Sequence, residues 1–319
     1  DAEKWLKIRK LWLGREMQHV QFDQLFKPAE DRLDPKVLER QIAVYPQLVE
    51  IGAGVEPDAL VLMSTHTRNV QELWESKELQ YINLRFILGA AMDVNQAGAG
   101  AWTFGFCGTM PNGSFCPGGT HQVAHAAQQI LVADGCKFFT HAEVDKVIIE
   151  NGAAIGIRLM NGSQVKANKI VVSAGMSPAQ LCFDLIGRET IDPMLAHRIE
   201  MIENTFGCLM WYTFAVHEAP RYQAEDFMPD IHECEWLGMQ PDSNPDHIAR
   251  ECQYMKLGMW PPFEDYAPTV GCHSLADPAY APPGKHVLQN EQLAPPAAKH
   301  TEKERLAIKK RYPDELIQH

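Results

Sequence analysis

Long apolar runs are missing from this chain of 319 residues. Nothing in it approaches the roughly 18 consecutive apolar residues of a membrane-spanning helix, and no cleavable signal pattern opens it. Basic charge is also scarce. With 29 Lys and Arg against 41 Asp and Glu the formal net charge is -12, and no cationic stripe offsets it, which argues against a nucleic-acid partner. Cys107, Cys116, Cys136, Cys182, Cys208, Cys234, Cys252 and Cys272 never form a Cys-x-x-Cys pair. Neither a dithiol redox motif nor a zinc knuckle is therefore written here, and buried structural thiols in a reducing cytosol are the expectation. His121 and His125 stand four apart, yet no glutamate sits between them in the His-Glu-x-x-His manner and no third ligand is evident, so no metal is expected. A Gly-x-Gly-x-x-Gly turn is absent as well: Gly52-Ala53-Gly54 and Gly98-Ala99-Gly100 come nearest, and neither follows a β-branched strand or opens a convincing helix.

What the chain does have is a core. Hydrophobic residues make up 45% and charged residues 22%, enough apolar surface for more than one domain and too much for disorder. Apolar residues fall at helical spacing over Trp5–Glu16, Asp34–Val44, Thr67–Trp74 and Leu79–Ala91, with Pro28, Pro35, Pro46 and Pro57 as breaks. Asp34-Pro35 is a good helix start, since proline tolerates the first turn. The opening helix mixes Lys4, Lys7, Arg9 and Lys10 with Trp5, Leu6, Ile8, Leu11, Trp12 and Leu13. That composition suits docking on a core, with lying at a membrane surface as the alternative.

Residues 116–190 hold the clearest local signals. Pro117-Gly118-Gly119-Thr120 gives a tight start, because the glycines adopt φ values that other residues resist and Thr120 is a fitting N-cap. Val123, Ala126, Ala127, Ile130 and Leu131 then follow at helical spacing up to Gly135. Lys137–Thr140 reads as a brief strand. Lys146–Glu150 meets Asn151-Gly152, a strong hairpin signal, and Ala154–Leu159 meets Asn161-Gly162-Ser163 before Gln164–Ala167 returns, a compact meander. Lys169-Ile170-Val171-Val172 has the continuous β-branched run of a strand buried on both faces, ending at the small residues Ser173-Ala174-Gly175. Further on, Met194–Ile202 reads as a helix, and Cys208–Val216 as an apolar strand whose alternation puts Trp211 and Thr213 on one face and Tyr212 and Phe214 on the other. Thr269–Ser274 and His286–Gln292 read as two more strands, for a mixed sheet capped by helices.

Three of these strings, in this order, resemble the flavin-dependent phytoene desaturase and carotenoid ketolase group within the amine-oxidase-like flavoprotein superfamily: Pro117-Gly118-Gly119, Glu143-Val144-Asp145-Lys146-Val147, and Lys169 through Gly175. The stretch Ser274–Leu288 is similar to that group's penultimate sheet region. The resemblance covers most of residues 100–180 and 265–315. It implies an α/β fold of mixed α+β character: a two-domain FAD-dependent oxidoreductase with a partial cofactor domain and a sheet-and-helix substrate domain. Residues 1–115 would be the mainly helical part of the substrate domain, 116–190 the FAD-domain segment, and 191–319 the substrate domain's sheet and helices. FAD contacts are implied at Gly118, Gly119, Val144, Ser173, Ala174 and Gly175, with the Val144 backbone against the adenine. The missing dinucleotide turn, and a chain that begins and stops inside helical patterns, are what an internal piece of a longer polypeptide would show.

A flavin carries out hydride or electron transfer itself, which accounts for the lack of an obvious triad and leaves no catalytic side chain to name. Candidates for the substrate wall are Trp102, Phe104 and Phe106, just ahead of the glycine turn, and Trp211 on its strand, since aromatics offer rigid apolar area. The expected function is an FAD-dependent desaturase, ketolase or dehydrogenase acting on a large carotenoid-like or polyprenoid substrate in the cytoplasm, with NAD(P), self-association and a peripheral membrane contact left open. Two alternatives stand beside it: a flavoprotein of the same architecture oxidising a smaller alcohol, ketone or amine, and a noncatalytic lipid- or protein-binding module.

Overall fold

The computed structural model describes residues 1–27, 34–51, 63–109, 116–173, 177–202, 206–234, 236–238 and 242–318. It divides into two compact units, Asp1–Gln122 with Thr205–His319, and Val123–Asn204.

The first unit opens with helices α1 (Ala2–Trp12), α2 (Arg15–Phe26), α3 (Pro35–Ile51), α4 (His66–Leu73), α5 (Lys77–Gly89) and α6 (Gly100–Thr109). Thr65 and Ser76 start α4 and α5 by accepting the amides of Arg68 and Leu79, which satisfies donors the first turn would leave orphaned. Helix α3 runs through Pro46, where a break was expected. Leu73, Trp74, Leu84, Ile87 and Leu88 form the centre of the core with Ile8, Cys107, Ile248, Cys252 and Met255. Docking on a core is thus the role α1 takes: Ile8 is buried, Trp5 lies 5.7 Å from Trp74, and the Lys4 ammonium donates to the Leu73 carbonyl at 2.6 Å.

Helix α7 (His121–Ala133) leads to the second unit's meander of β1 (Val144–Glu150), β2 (Ala153–Leu159) and β3 (Gln164–Lys166), paired antiparallel in that order. The β1–β2 turn forms as expected, with Asn151 at φ 51° and Gly152 at φ 79°, the left-handed pair that a two-residue hairpin needs. A π-helical stretch, Gln180–Gly187, and α8 (Pro193–Glu200), capped by Asp192, complete the unit. Strands β2 and β3 approach so closely at Gly156 that a Cβ there would sit 2.4 Å from the Val165 carbonyl oxygen. Gly156→Val is therefore expected to lower the unit's stability by about 1–3 kcal/mol, read from the shift of its denaturation midpoint; an unchanged midpoint would contradict the packing.

Two strand expectations fail in this unit. Lys137–Thr140 and Lys169–Val172 pair with nothing in either sheet, and Phe139 and Val172 are 77% and 76% exposed. A strand buried on both faces needs neighbours along both edges and layers above and below. Within the described residues of this unit the only sheet is the meander, whose sole buried apolar side chain is Val147. Helix α7 shares this condition: none of its residues is buried, and Val123, Ile130, Leu131 and Val132 are open.

The first unit resumes with β4 (Cys208–Val216), β5 (Trp236–Gly238), α9 (Pro245–Leu257), β6 (Thr269–Gly271), the short α10 (His273–Ala276), β7 (His286–Ala294) and α11 (Glu302–Gln318). The sheet order is β4-β7-β6-β5 and every pairing is antiparallel, so the expected mixed sheet is corrected to an antiparallel one. Strand β6 stops at Gly271 rather than Ser274, and the chain turns into α10. Alternation along β4 is as expected: Trp211 and Thr213 lie on the exposed face, opposite Glu291 and Gln289, while Tyr212 and Phe214 are half-buried on the other. Helix α5 covers part of the first face through Tyr81 and Ile82 against Gly238. Helix α11 covers the second, with the Tyr312 ring tilted against that of Tyr212 at 5.4 Å.

Candidate functional site

On the exposed sheet face the first unit assembles a continuous aromatic wall. Trp211 is 45% exposed and meets Trp236 edge-on at 6.3 Å; Trp236 meets the His273 ring at 5.2 Å, and His273 meets Tyr280 at 5.6 Å. Offset and edge-to-face contacts of this kind fix aromatic planes while leaving their outer faces available. Turning of the chain after Gly271 brings His273 back over the sheet, where its Nε2 bonds Gln289 Oε1. The His273–Gln289 pair gives the wall a polar spot, and Thr213 and Glu291 share its sheet face beside Trp211.

Tyr280 carries the wall to the glycine turn. A Cβ on Gly119 would lie 2.8 Å from the Tyr280 hydroxyl, and the Gly118 amide donates to Asp277 Oδ2 at 2.6 Å. Both glycines have positive φ, 75° and 88°. That hydrogen bond is the main cause holding the Asp277 carboxyl below its ordinary range, with the Ala279 amide adding to it. Two strings far apart in sequence, Pro117-Gly118-Gly119 and Ser274–Leu288, thus meet in space. Within the second string Ser274 accepts the Val287 amide at 3.2 Å and bonds His286 Nδ1 at 3.0 Å. With Ser274 buried and its oxygen occupied, this pair pins α10 to β7 rather than presenting a nucleophile.

Of the other substrate-side candidates, the Trp102 and Phe104 side chains lie outside the described residues. Phe106 packs against the helical core, 6.0 Å from His66 and 6.1 Å from Phe86. His66 is itself fully buried, bonded through Nδ1 to Thr103 Oγ1 at 2.9 Å, and burial pushes its pKa down to about 4, so it is a neutral imidazole. Cys107 is pushed up to about 12 by burial, which keeps it an unreactive thiol. All eight cysteines are free; Cys107, Cys252 and Cys272 are buried and Cys136 is exposed. Among the described residues no group of three His, Cys, Asp or Glu could hold a metal ion.

Of the cofactor-side candidates, Gly118 and Gly119 belong to the first unit and Val144 and Ser173 to the second. Ala174 and Gly175 lie outside the described residues. Val144 begins β1, paired with Leu159 beside a register shift, and Ser173 is exposed, preceded by the bare Val172. Trp236, His273, Gln289 and Asp277 are the members of the site that spacing did not single out. Trp236 stands in a three-residue strand too short to show alternation, and His273 was hidden by the expectation that β6 continued past it.

Comparison with known proteins gives partial similarities. The chain is 31% identical to a 4,4'-diapophytoene desaturase (4,4'-diapolycopene-forming) of Methylomonas sp over 62 residues, which are 19% of this chain and 12% of that enzyme. It superposes on a crystal structure of a Pyrococcus furiosus protein with a TM-score of 0.52 at 16% identity, covering 80% of this chain and 54% of that one. The chain thus spans about half the length of that structure. No family model matches. Among the described residues the fold is mixed α/β with two antiparallel sheets, and the desaturase similarity hints at an oxidoreductase. No helix among the described residues is long and apolar enough to cross a membrane.

Proposed function

We propose that this chain is part of an FAD-dependent oxidoreductase that acts on a large apolar polyene. The aromatic wall Trp211–Trp236–His273–Tyr280 carries the reading: four rings in successive contact offer the rigid apolar area along which a long hydrocarbon can lie. Similarity to a diapophytoene desaturase supports the reaction class.

The residues suit a flavin dinucleotide unevenly. In the second unit Val144 and Ser173 would hold its nucleotide end, and the bare apolar surface around Val172 is free to be covered. The glycine turn of the first unit does not suit a phosphate. Its Gly118 amide is already given to the Asp277 carboxylate, and the Tyr280 hydroxyl fills the space beside Gly119. That turn instead fixes the end of the substrate wall. When bound, FAD would accept the hydride or electrons; the protein's part is to seat the hydrocarbon along the wall.

Trp211→Ala combined with Trp236→Ala is expected to reduce kcat/KM for a long polyene roughly tenfold, mainly through KM, while flavin retention stays unchanged, because only apolar contact area is removed. Steady-state kinetics beside the visible flavin spectrum of parent and variant test this. An unaltered KM would remove the wall from substrate binding, and a colourless parent protein that takes up no FAD would overturn the cofactor assignment.

A further inference from the structure

The open side of the first unit's sheet holds more than rings. Strand order β4-β7-β6-β5 puts two strands between Trp211 and Trp236, and neighbouring strands stand about 4.8 Å apart, so the indoles meet at 6.3 Å only by reaching toward each other across β7 and β6. Next along the strands comes the row Thr213, Gln289 and Gly271, paired residue to residue and ending at Trp236. Directly opposed residues share a face. Gly271 adds no side chain to that row, and Thr213 is exposed.

Gln289 is held in one orientation. Its Oε1 can only accept, so the His273 Nε2 that bonds it is the donor, and the amide Nε2 of Gln289 is turned the other way. Among the described residues neither that amide nitrogen nor the Thr213 hydroxyl has a protein partner. Thr213 and Gln289 are cross-strand partners on β4 and β7, a placement that brings Cβ atoms to about 4.5–5.5 Å. A fixed donor and a hydroxyl that both donates and accepts therefore stand side by side, next to the indole contact.

We infer that Thr213 and Gln289 form a subsite for one oxygen atom, a hydroxyl or a carbonyl, carried by the otherwise apolar ligand of the aromatic wall. The inference rests on the wall being the substrate surface and narrows its ligand class from plain hydrocarbons to oxygenated ones. Gln289 Nε2 donates to the ligand oxygen, and the Thr213 hydroxyl completes its hydrogen bonding. His273 is a positioning residue here, holding the Gln289 amide. A plain hydrocarbon would cover that donor without giving it a partner, which costs affinity.

Displacement of diphenylhexatriene, a fluorescent apolar polyene, from the full chain tests the subsite. Geranylgeraniol is expected to displace it at a roughly three- to tenfold lower concentration than the hydrocarbon that lacks only the hydroxyl. Thr213→Val keeps the side chain's shape and its strand preference, and is expected to bring the two ligands within about twofold of each other while displacement by the hydrocarbon is unchanged. A purely structural role would weaken both ligands alike. Equal displacement by the two ligands in the parent, or a full preference kept in Thr213→Val, overturns the subsite and leaves the wall standing. A probe that fails to bind the parent, or binds equally well to the variant carrying Trp211→Ala and Trp236→Ala, removes the wall and the subsite with it.

Discussion

Replacing Glu251 by Gln is expected to abolish the steepest pH dependence of this protein's stability. Burial raises the Glu251 carboxyl from its ordinary 4.5 to about 8, against the lowering effects of Arg85 and the Ala267 amide. The folded chain therefore holds this proton more tightly than the unfolded chain. Stability from this group is full below pH 4.5, declines as the unfolded carboxyl ionises, and is lost once pH passes about 8. At about 1.4 kcal/mol per pH unit the loss across that window is about 5 kcal/mol. Groups facing Glu251 are Tyr81 and Arg85 from α5, Asp265 and Tyr266 from the segment before β6, and Tyr312 from α11. Urea denaturation of parent and Glu251→Gln at intervals from pH 5 to pH 9 would show a falling line for the parent and a flatter one for the variant. Parallel lines would mean that the carboxyl is ionised and paired in the folded state.

Trp74→Ala is expected to cost about 3–5 kcal/mol, the range for removing a buried tryptophan. Its side chain is 1% exposed at the centre of the first unit's core. The Trp5 ring lies 5.7 Å away and the Lys4 ammonium 5.9 Å above its face, so the substitution also loosens α1. A Trp5→Ala change on top of it should cost less than it does in the parent, because the two rings share a contact. Chemical denaturation of the single and double variants measures both quantities, and a loss below about 1 kcal/mol for Trp74→Ala would contradict the core described here.

Legibility in the sequence followed the range of the interactions involved. The meander was readable because Asn151-Gly152 and Asn161-Gly162 dictate their turns from within four residues. Strand β4 was readable because its alternation is local, and Trp211 and Thr213 face together as spacing requires. Lys169–Val172 misled for the converse reason: a β-branched run states a preference, while a strand also needs a partner, and the described residues of its unit supply none. Helix α6 was hard to see, since Gly105, Gly108 and three aromatics weaken the helical pattern that packing enforces. In the candidate site, the Trp211 side of the wall was visible beforehand, whereas Trp236 and His273 join it through contacts between separate segments. Glu251 gave no signal at all, because a glutamate between Arg250 and Cys252 in a helix looks like any solvated residue until α5 and the segment before β6 pack against α9.

The most direct test of the proposed chemistry is anaerobic mixing of the flavin-loaded full polypeptide with a long acyclic polyene of the isoprenoid class, followed by the visible spectrum of the flavin. Bleaching of the oxidised flavin, with a matching gain of one double bond in the polyene, is the expected result. A flavin that stays oxidised beside an unchanged hydrocarbon would contradict it.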